Sequence, residues 1–344
     1  MKITCLDSVY STTRLLTTEQ AKLGQSVGNE PAFQPFLNAG EGRKGEGGLR
    51  TKGYYKHGYS KHGDNWRVCV ANGDTNEAID LKQEVGGGKL PLITVVTVVY
   101  NGGSYLEETI LSVINQTYPN VEYVIIDGGS SDGTLDIIRK YEHVIDYWVS
   151  EKDEGIYDAM NKGICAATGE WVNFMNAGDC FYSADTVALL FNNRSYIENV
   201  IYGGVLIRYA DFSRIQRSGN TKNLWKGMQF CHQSAFVRTD IHRTAKFNIK
   251  NRLAADLEFF YGAYKKGVGF RQVDAVVSSV TAGGLSDTNR VETILAWGDA
   301  VSNCEGRSWV KVMYYLYAAN SIMRGFIKKI LPAKVVRLMI RVKK

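Results

Sequence analysis

The sequence predicts an α/β fold: a doubly wound, mostly parallel central sheet flanked by helices, with an N-terminal extension before it and amphipathic helices after it. Three observations carry that expectation. Apolar runs at 92–99, 121–126 and 171–175 show no polar alternation, as strands buried on both faces require. Each run ends in a turn of glycines with amide or acidic side chains, seen in Asn101-Gly102-Gly103, Asp127-Gly128-Gly129 and Asn176-Ala177-Gly178-Asp179. Helical spacing fills the segments between them, and alternating strands and helices point to a parallel sheet.

Residues 1–90 read differently. Between 40 and 63 glycines mix with lysines, arginines and tyrosines without periodicity. Such composition offers little core against high backbone entropy, so a loosely organised extension is expected. Trp66-Arg67-Val68-Cys69-Val70 has strand character. His57 and His62 have no third or fourth ligand beside them, so no metal is assigned there. Gly86-Gly87-Gly88 with Pro91 reads as a linker into the first buried strand.

Ser104 and Glu107 have capping-box spacing and predict a helix with Leu106, Ile110, Val113 and Ile114 on one face. A strand over 121–126, a helix over 134–141 and a strand over 145–150 follow. Ile156, Met160 and Ile164 mark the next helix, which Thr168-Gly169 ends before the strand at 171–175. The second half predicts a helix over 183–193, a strand over 200–208 and a long polar loop over 211–226. After the apolar segment at 231–237 come a helix over 254–266, a strand over 270–280 and a turn at Gly283-Gly284-Leu285-Ser286. A helix near 289–303 precedes two basic, aromatic-rich helical segments broken at Pro332.

Composition bounds the function classes. The 344 residues are 44% hydrophobic and 22% charged, ordinary for a globular protein able to bury a substantial core. The net charge of +6 is concentrated at the end: residues 306–344 hold ten Lys or Arg and no Asp or Glu. Six scattered cysteines show no metal or disulfide spacing, which points to a reducing, cytoplasmic setting. The first residues lack a signal-peptide core, and no run reaches the ~20 apolar residues of a membrane span.

In open α/β sheets, ligands sit outside the carboxyl ends of the strands. Asn101, Asp127, Asp153 and Asp179 all follow apolar runs and converge there. A carboxylate such as Asp127 can accept hydrogen bonds from ribose hydroxyls or a base N–H; the bland alternative is that Asp127 and Asp132 cap the turn and the next helix. Neither the dinucleotide fingerprint nor a phosphate-loop lysine is present. Asp179 suits a hard cation, Mg²⁺ or Mn²⁺, whose shell a diphosphate completes; its alternative role is a helix N-cap. Asp256 lies near a helix start, where acids are favoured anyway, and His232 is open between a satisfied histidine and a functional one.

VVTVVYNGG, QTYPNVEYVIIDGGSSDGT, SEKDEGIYDAMNKGICAATGEWVNFMNAGD and HQSAF…AADLEF together resemble the family 2 glycosyltransferases of the GT-A fold, closest to bacterial enzymes of cell-surface polysaccharide assembly. The likeness spans 91–284. It implies a catalytic domain over 91–305, with a donor half (91–180) and an acceptor half (181–305), between the extension (1–90) and a basic tail (306–344). It further implies an inverting, hexosyltransferase-like enzyme using a nucleotide-sugar and a divalent metal. Asp127 matches the nucleotide-binding acid, Asp153 the pocket lining, Asp179 the last acid of the metal motif and Asp256 the general base. Val98, Tyr100, Asn101, Gly128 and Asn161 are expected in the same nucleotide pocket, with His232 and Gln233 near the diphosphate or acceptor. Many relatives carry paired acids where Gly128 and Gly178 stand here, which bears on whether the metal has two protein carboxylates.

Two alternatives stay open: a non-catalytic nucleotide-sugar binding protein and a sugar nucleotidyltransferase. In the tail, Trp309, Tyr314, Tyr315, Tyr317 and Phe326 interleave with Lys311, Arg324, Lys328, Lys329, Arg337 and Arg341. That pattern suits peripheral attachment to the inner face of the cell membrane, with a glycan or polyprenyl-diphosphate-linked acceptor. A basic helix packed on the domain is the alternative. Nucleic acid is not expected, since no recognised module accompanies the charge.

Overall fold

The computed structural model describes residues 2–20, 34–62, 65–70, 73–74, 88–284, 288–307, 309–331 and 335. The N-terminal region is folded over much of its described length. It supplies β1 (Gly45–Gly47), then β2 (Gly58–His62), β3 (Asn65–Val70), β4 (Gly73–Asp74) and β5 (Lys89–Leu90), which pair antiparallel in the order β4-β3-β2-β5. Over its described residues the region is thus more regular than its composition suggested. Glycine-rich composition hid the reason: two cations of this region are buried against acids of the sheet. Arg50 meets Glu122 at 2.6 Å and Lys56 meets Asp146 at 3.6 Å. Burial pulls the Lys56 ammonium below its ordinary range and pushes the Asp146 carboxyl up to about 6.

The main body runs β6 (Ile93–Val99), α1 (Leu106–Ile114), β7 (Val121–Asp127), α2 (Thr134–Lys140), β8 (Tyr147–Ser150), α3 (Ile156–Ala166) and β9 (Trp171–Phe174). It continues with β10 (Cys180–Phe181), α4 (Thr186–Phe191), β11 (Val200–Arg208), β12 (Ser213–Gln216), β13 (Ala235–Arg238), α5 (Thr239–Thr244), α6 (Ala255–Lys265), β14 (Phe270–Thr281), α7 (Arg290–Glu305) and α8 (Trp309–Ile330). The large sheet has the order β1-β8-β7-β6-β9-β13-β11-β14-β10, with β12 beside β11. β8, β7, β6 and β9 are mutually parallel, and β11 is parallel to β14. The mixed α/β architecture expected from the alternating pattern is present.

Successive residues of the central strands bury opposite faces. Val96 and Val98 of β6 join Val124 and Ile126 of β7 in one core; Val95, Val99, Tyr123 and Ile125 lie in the other. Each fully buried Val or Ile contributes roughly 1.5–3 kcal/mol, which is why an apolar run without alternation settles at the sheet centre.

β13 departs from the parallel pattern: it enters between β9 and β11, antiparallel to both. Its start therefore lies at the edge where β9 ends. Asn173, buried in β9, secures the reversal by donating from Nδ2 to the Gln233 and Ala235 carbonyls at 3.0 and 2.8 Å.

Two local expectations are corrected. The Ser104–Glu107 capping box does not form: α1 begins after Tyr105 without a side-chain cap, and Glu107 instead meets Lys140 Nζ at 2.6 Å and Tyr141 at 2.8 Å. The incoming Gly102 and Gly103 N–H groups donate to Thr134 and Asp132, a longer-range solution to the same need. Residues 211–226 are not one loop, because Ser213–Gln216 forms an edge strand on β11 and Thr221–Lys226 a 3₁₀ turn. In the tail, α8 is a single helix whose Val310, Tyr314 and Ala318 pack against the domain, with the Tyr314 hydroxyl donating to the Trp225 carbonyl at 2.9 Å. Gly86, Gly87, Leu285, Ser286, Pro332, Arg337 and Arg341 lie outside the described residues.

Candidate active site

The site lies along the edge where β6, β7, β8 and β9 end. Asp127 closes β7 and is fully buried. One carboxylate oxygen accepts the Ser130 hydroxyl; the other accepts the Gly129 and Ser130 N–H groups at 3.2 and 3.0 Å and the Ser150 hydroxyl at 2.5 Å. Its carboxylate thus orders the turn that follows. Asp132 does the same for α2, accepting from the Thr134 N–H at 3.2 Å. Asn101 sits in the left-handed region at φ 50, where asparagine is tolerated, and ties the β6 turn to the β7 turn: its N–H donates to Ser130 Oγ at 2.7 Å and its Oδ1 accepts from the Ser131 N–H at 3.0 Å.

Asp153, after β8, accepts from the Gly155 N–H at 2.9 Å. A Cβ at Gly128 would collide with the Asp153 carboxylate, so Gly128 makes room for an acid contributed by the next strand. Burial pushes the Asp153 carboxyl above its ordinary range, opposed by the Gly155 N–H and Lys162.

Asp179 is the meeting point of the two halves. Gln233 donates from Nε2 to its Oδ2 at 2.6 Å. Burial pushes the Asp179 carboxyl up to about 6, against the pull of His232, Gln233 and Arg208. Beside it, the Asn176 side-chain amide meets His232 Nε2 at 3.1 Å, and His232 Nδ1 stands 3.7 Å from Asp256 Oδ2. Asp256, in the first turn of α6, has its other oxygen fixed by the Tyr157 hydroxyl at 3.2 Å and the Leu257 N–H at 2.8 Å.

The structure therefore gathers Asp179, His232, Gln233 and Asp256 into one network, and Asn101, Asp127, Gly128 and Asp153 into an adjoining one. Tyr100 is exposed at the rim. Val98 and Asn161 are engaged elsewhere: Val98 is buried in the core, and both polar atoms of the Asn161 side chain pair with the Phe247 backbone at 2.9 Å. Sequence reasoning missed Asn176, Tyr157 and Arg208. The rule of carboxyl-end strand positions could have found Arg208, which ends β11, donates to Glu108 and reaches the Gly178 carbonyl at 3.1 Å. Tyr157 carried no comparable signal.

A hard divalent cation fits this donor set. Among the described residues no cluster of three or more metal-ligating side chains occurs. A cation shared with a diphosphate needs few protein oxygens, however. Asp179 is a desolvated carboxylate, and Asn176 Oδ1 is a buried oxygen with no hydrogen-bond partner.

A family model described as glycosyl transferase family 2 matches residues 94–266. The chain is similar to a PGL/p-HBAD biosynthesis glycosyltransferase of Mycobacterium bovis, 32% identical over 208 residues that cover 58% of this chain and 80% of the relative. It is also similar to an uncharacterized glycosyltransferase of Mycobacterium tuberculosis, 31% identical over 50% of this chain and 69% of the relative. Among solved structures, the mannosyltransferase PcManGT from Pyrobaculum calidifontis, determined with GDP-Man and Mn²⁺, has a TM-score of 0.52 at 14% identity. That match covers 76% of this chain and 87% of the other, and it shows the shared fold.

Proposed function

The chain belongs to glycosyl transferase family 2, and from that premise we propose that it moves a sugar from a nucleoside-diphosphate sugar to an acceptor hydroxyl, inverting the anomeric centre in a single displacement. The observation that carries the proposal is the His232 bridge, which sets Asp256 of the acceptor half against the Asn176–Asp179 turn of the donor half. Asp256 Oδ2, adjoining His232 rather than the Tyr157 hydroxyl, takes the acceptor proton as that oxygen attacks the anomeric carbon. The bond from that carbon to the β-phosphate oxygen breaks, and its electron pair leaves with the nucleoside diphosphate.

Asp179, with the Asn176 amide oxygen, would hold a Mg²⁺ or Mn²⁺ ion, whose charge would offset that of the diphosphate. In this reading Asp153 lines the nucleoside end, and the buried Asp127 shapes it by holding the Gly129–Ser130 turn. Transfer assays with UDP-, GDP- and dTDP-sugars and Mn²⁺ test it. Release of nucleoside diphosphate supports the transferase. Release of pyrophosphate would favour the nucleotidyltransferase alternative, and binding without turnover the non-catalytic one.

Attachment to a membrane surface and a lipid-linked acceptor belong to the same proposal. No described helix is long and apolar enough to cross a membrane. α8 instead exposes Leu316, Ile322, Met323, Phe326, Ile327 and Ile330, while its Val310, Tyr314 and Ala318 are buried. Basic Lys311, Arg324 and Lys329 flank that stripe, and each basic group near an anionic leaflet contributes about 1 kcal/mol. Both expected roles of the tail, packing on the domain and presenting an apolar basic face outward, are thus compatible in one helix.

A further inference from the structure

Residues 37–47 cross the donor edge of the sheet. β1 lies antiparallel on β8, with Gly45 opposite Ser150. Just before it, the Lys44 N–H donates to the Ser150 carbonyl at 2.8 Å and the Gly40 N–H to Glu151 at 3.0 Å. Arg43 donates to Glu151 Oε2 from Nε at 2.9 Å and from Nη2 at 2.7 Å, while Lys162 approaches Oε1 at 2.9 Å. The Glu151 side chain is only 4% exposed. A carboxylate that would be costly to bury alone is matched by a cation at each oxygen. This clamp joins the extension, β8 and α3 at the foot of the turn that carries Asp153.

Lys44 acts on the other turn. Its Nζ donates to the Gly129 and Ser130 carbonyls at 2.8 and 2.9 Å. Those two residues are the ones whose N–H groups hold the Asp127 carboxylate. An ammonium has three donors. Two fix the turn, and a third N–H with the full positive charge stays at the rim of the site on a solvent-exposed side chain.

We infer that the extension is a working part of the donor site: Arg43 and Glu151 position the Asp153 turn, and Lys44 both positions the Asp127 turn and offers a cation to the anionic nucleotide. The inference rests on the nucleotide-sugar reading above. Two of the residues it gives roles, Arg43 and Lys44, lie ahead of the segment matched by the family.

Full-length K44A and K44R test it, by calorimetric titration with UDP, GDP and dTDP in Mn²⁺ and by steady-state kinetics. In K44A, donor affinity should weaken and donor KM rise about tenfold, the usual scale for a lost charge-assisted hydrogen bond. The loss should appear in donor affinity and donor KM, with the acceptor KM close to wild type. K44R keeps charge and donors and should recover most of the loss. K44A binding nucleotide as wild type does would overturn the inference, as would K44R as weak as K44A. Wild type that binds none of the three nucleotides would remove the donor reading itself; normal wild-type binding with an unaffected K44A removes only the role of the extension.

Discussion

His232 Nδ1 stands 3.7 Å from Asp256 Oδ2 while its Nε2 meets the Asn176 amide at 3.1 Å, so one imidazole spans the two halves of the site. Neither neighbour is close to His232 in the chain. The contact exists because β13 runs antiparallel beside β9 and brings its own beginning to the edge where β9 finishes.

Asp256→Asn should lower kcat by about 10²–10⁴-fold, the range for general-base assistance, while nucleotide binding stays near wild type. Steady-state rates with a matched calorimetric titration check this. Near-normal turnover in the variant would show that the proton leaves by another route.

Asp179→Asn should separate stability from function. The folded carboxyl titrates near 6, above its ordinary value of 3.8, so the folded chain binds more protons across that window. Wild-type stability without metal should therefore fall as pH rises from about 4 to 6 and level off above, by no more than about 3 kcal/mol. The asparagine variant removes this slope and should melt higher than wild type at pH 7.5, with little difference at pH 4. It should also lose Mn²⁺-supported nucleotide binding. Parallel melting curves of the two proteins at both pH values would count against the desolvated carboxylate.

Arg50→Ala should destabilise the whole domain by about 3–5 kcal/mol, because Glu122 would keep a buried charge without its partner. Urea denaturation measures the loss. Adding Glu122→Gln should return part of it; a double variant no more stable than the single one would mean that packing, not charge, dominates.

Replacing Ile322, Met323, Phe326 and Ile330 by serine should abolish flotation with anionic vesicles and leave transfer to a soluble acceptor unchanged. Those side chains are exposed and distant in the chain from the catalytic groups. Equal flotation of both proteins would assign the stripe to something other than a bilayer.

The parallel half of the fold was legible because burial on both faces leaves a compositional mark, and the runs ending at Val99, Asp127 and Phe174 carry it. The site was legible in part for a related reason, since polar residues directly after such runs can only stand at one edge. What stayed hidden was non-local. Arg50 and Lys56 stand in a glycine-rich stretch without periodicity, and only their distant partners Glu122 and Asp146 make them interior groups. β12, reading Ser-Arg-Ile-Gln, lies on a sheet margin where no apolar pattern is needed. Ser104 and Glu107 had the right spacing for a cap, but Thr134 and Asp132 satisfied the approaching backbone instead.

β1 has one more effect, on the company the protein keeps. The main path through the large sheet finishes on one side with Gly45–Gly47 and on the other with Cys180–Phe181. Behind β1 lies Tyr147–Ser150, a strand buried throughout. Left bare, it would present an apolar ladder of unpaired N–H and C=O groups, a template for recruiting strands of other molecules. Three residues with glycine on either side of Glu46 cover it, and the margin they leave is short, twistable and charged. The same segment that braces the Asp127 turn thereby keeps neighbouring molecules from zipping onto the sheet.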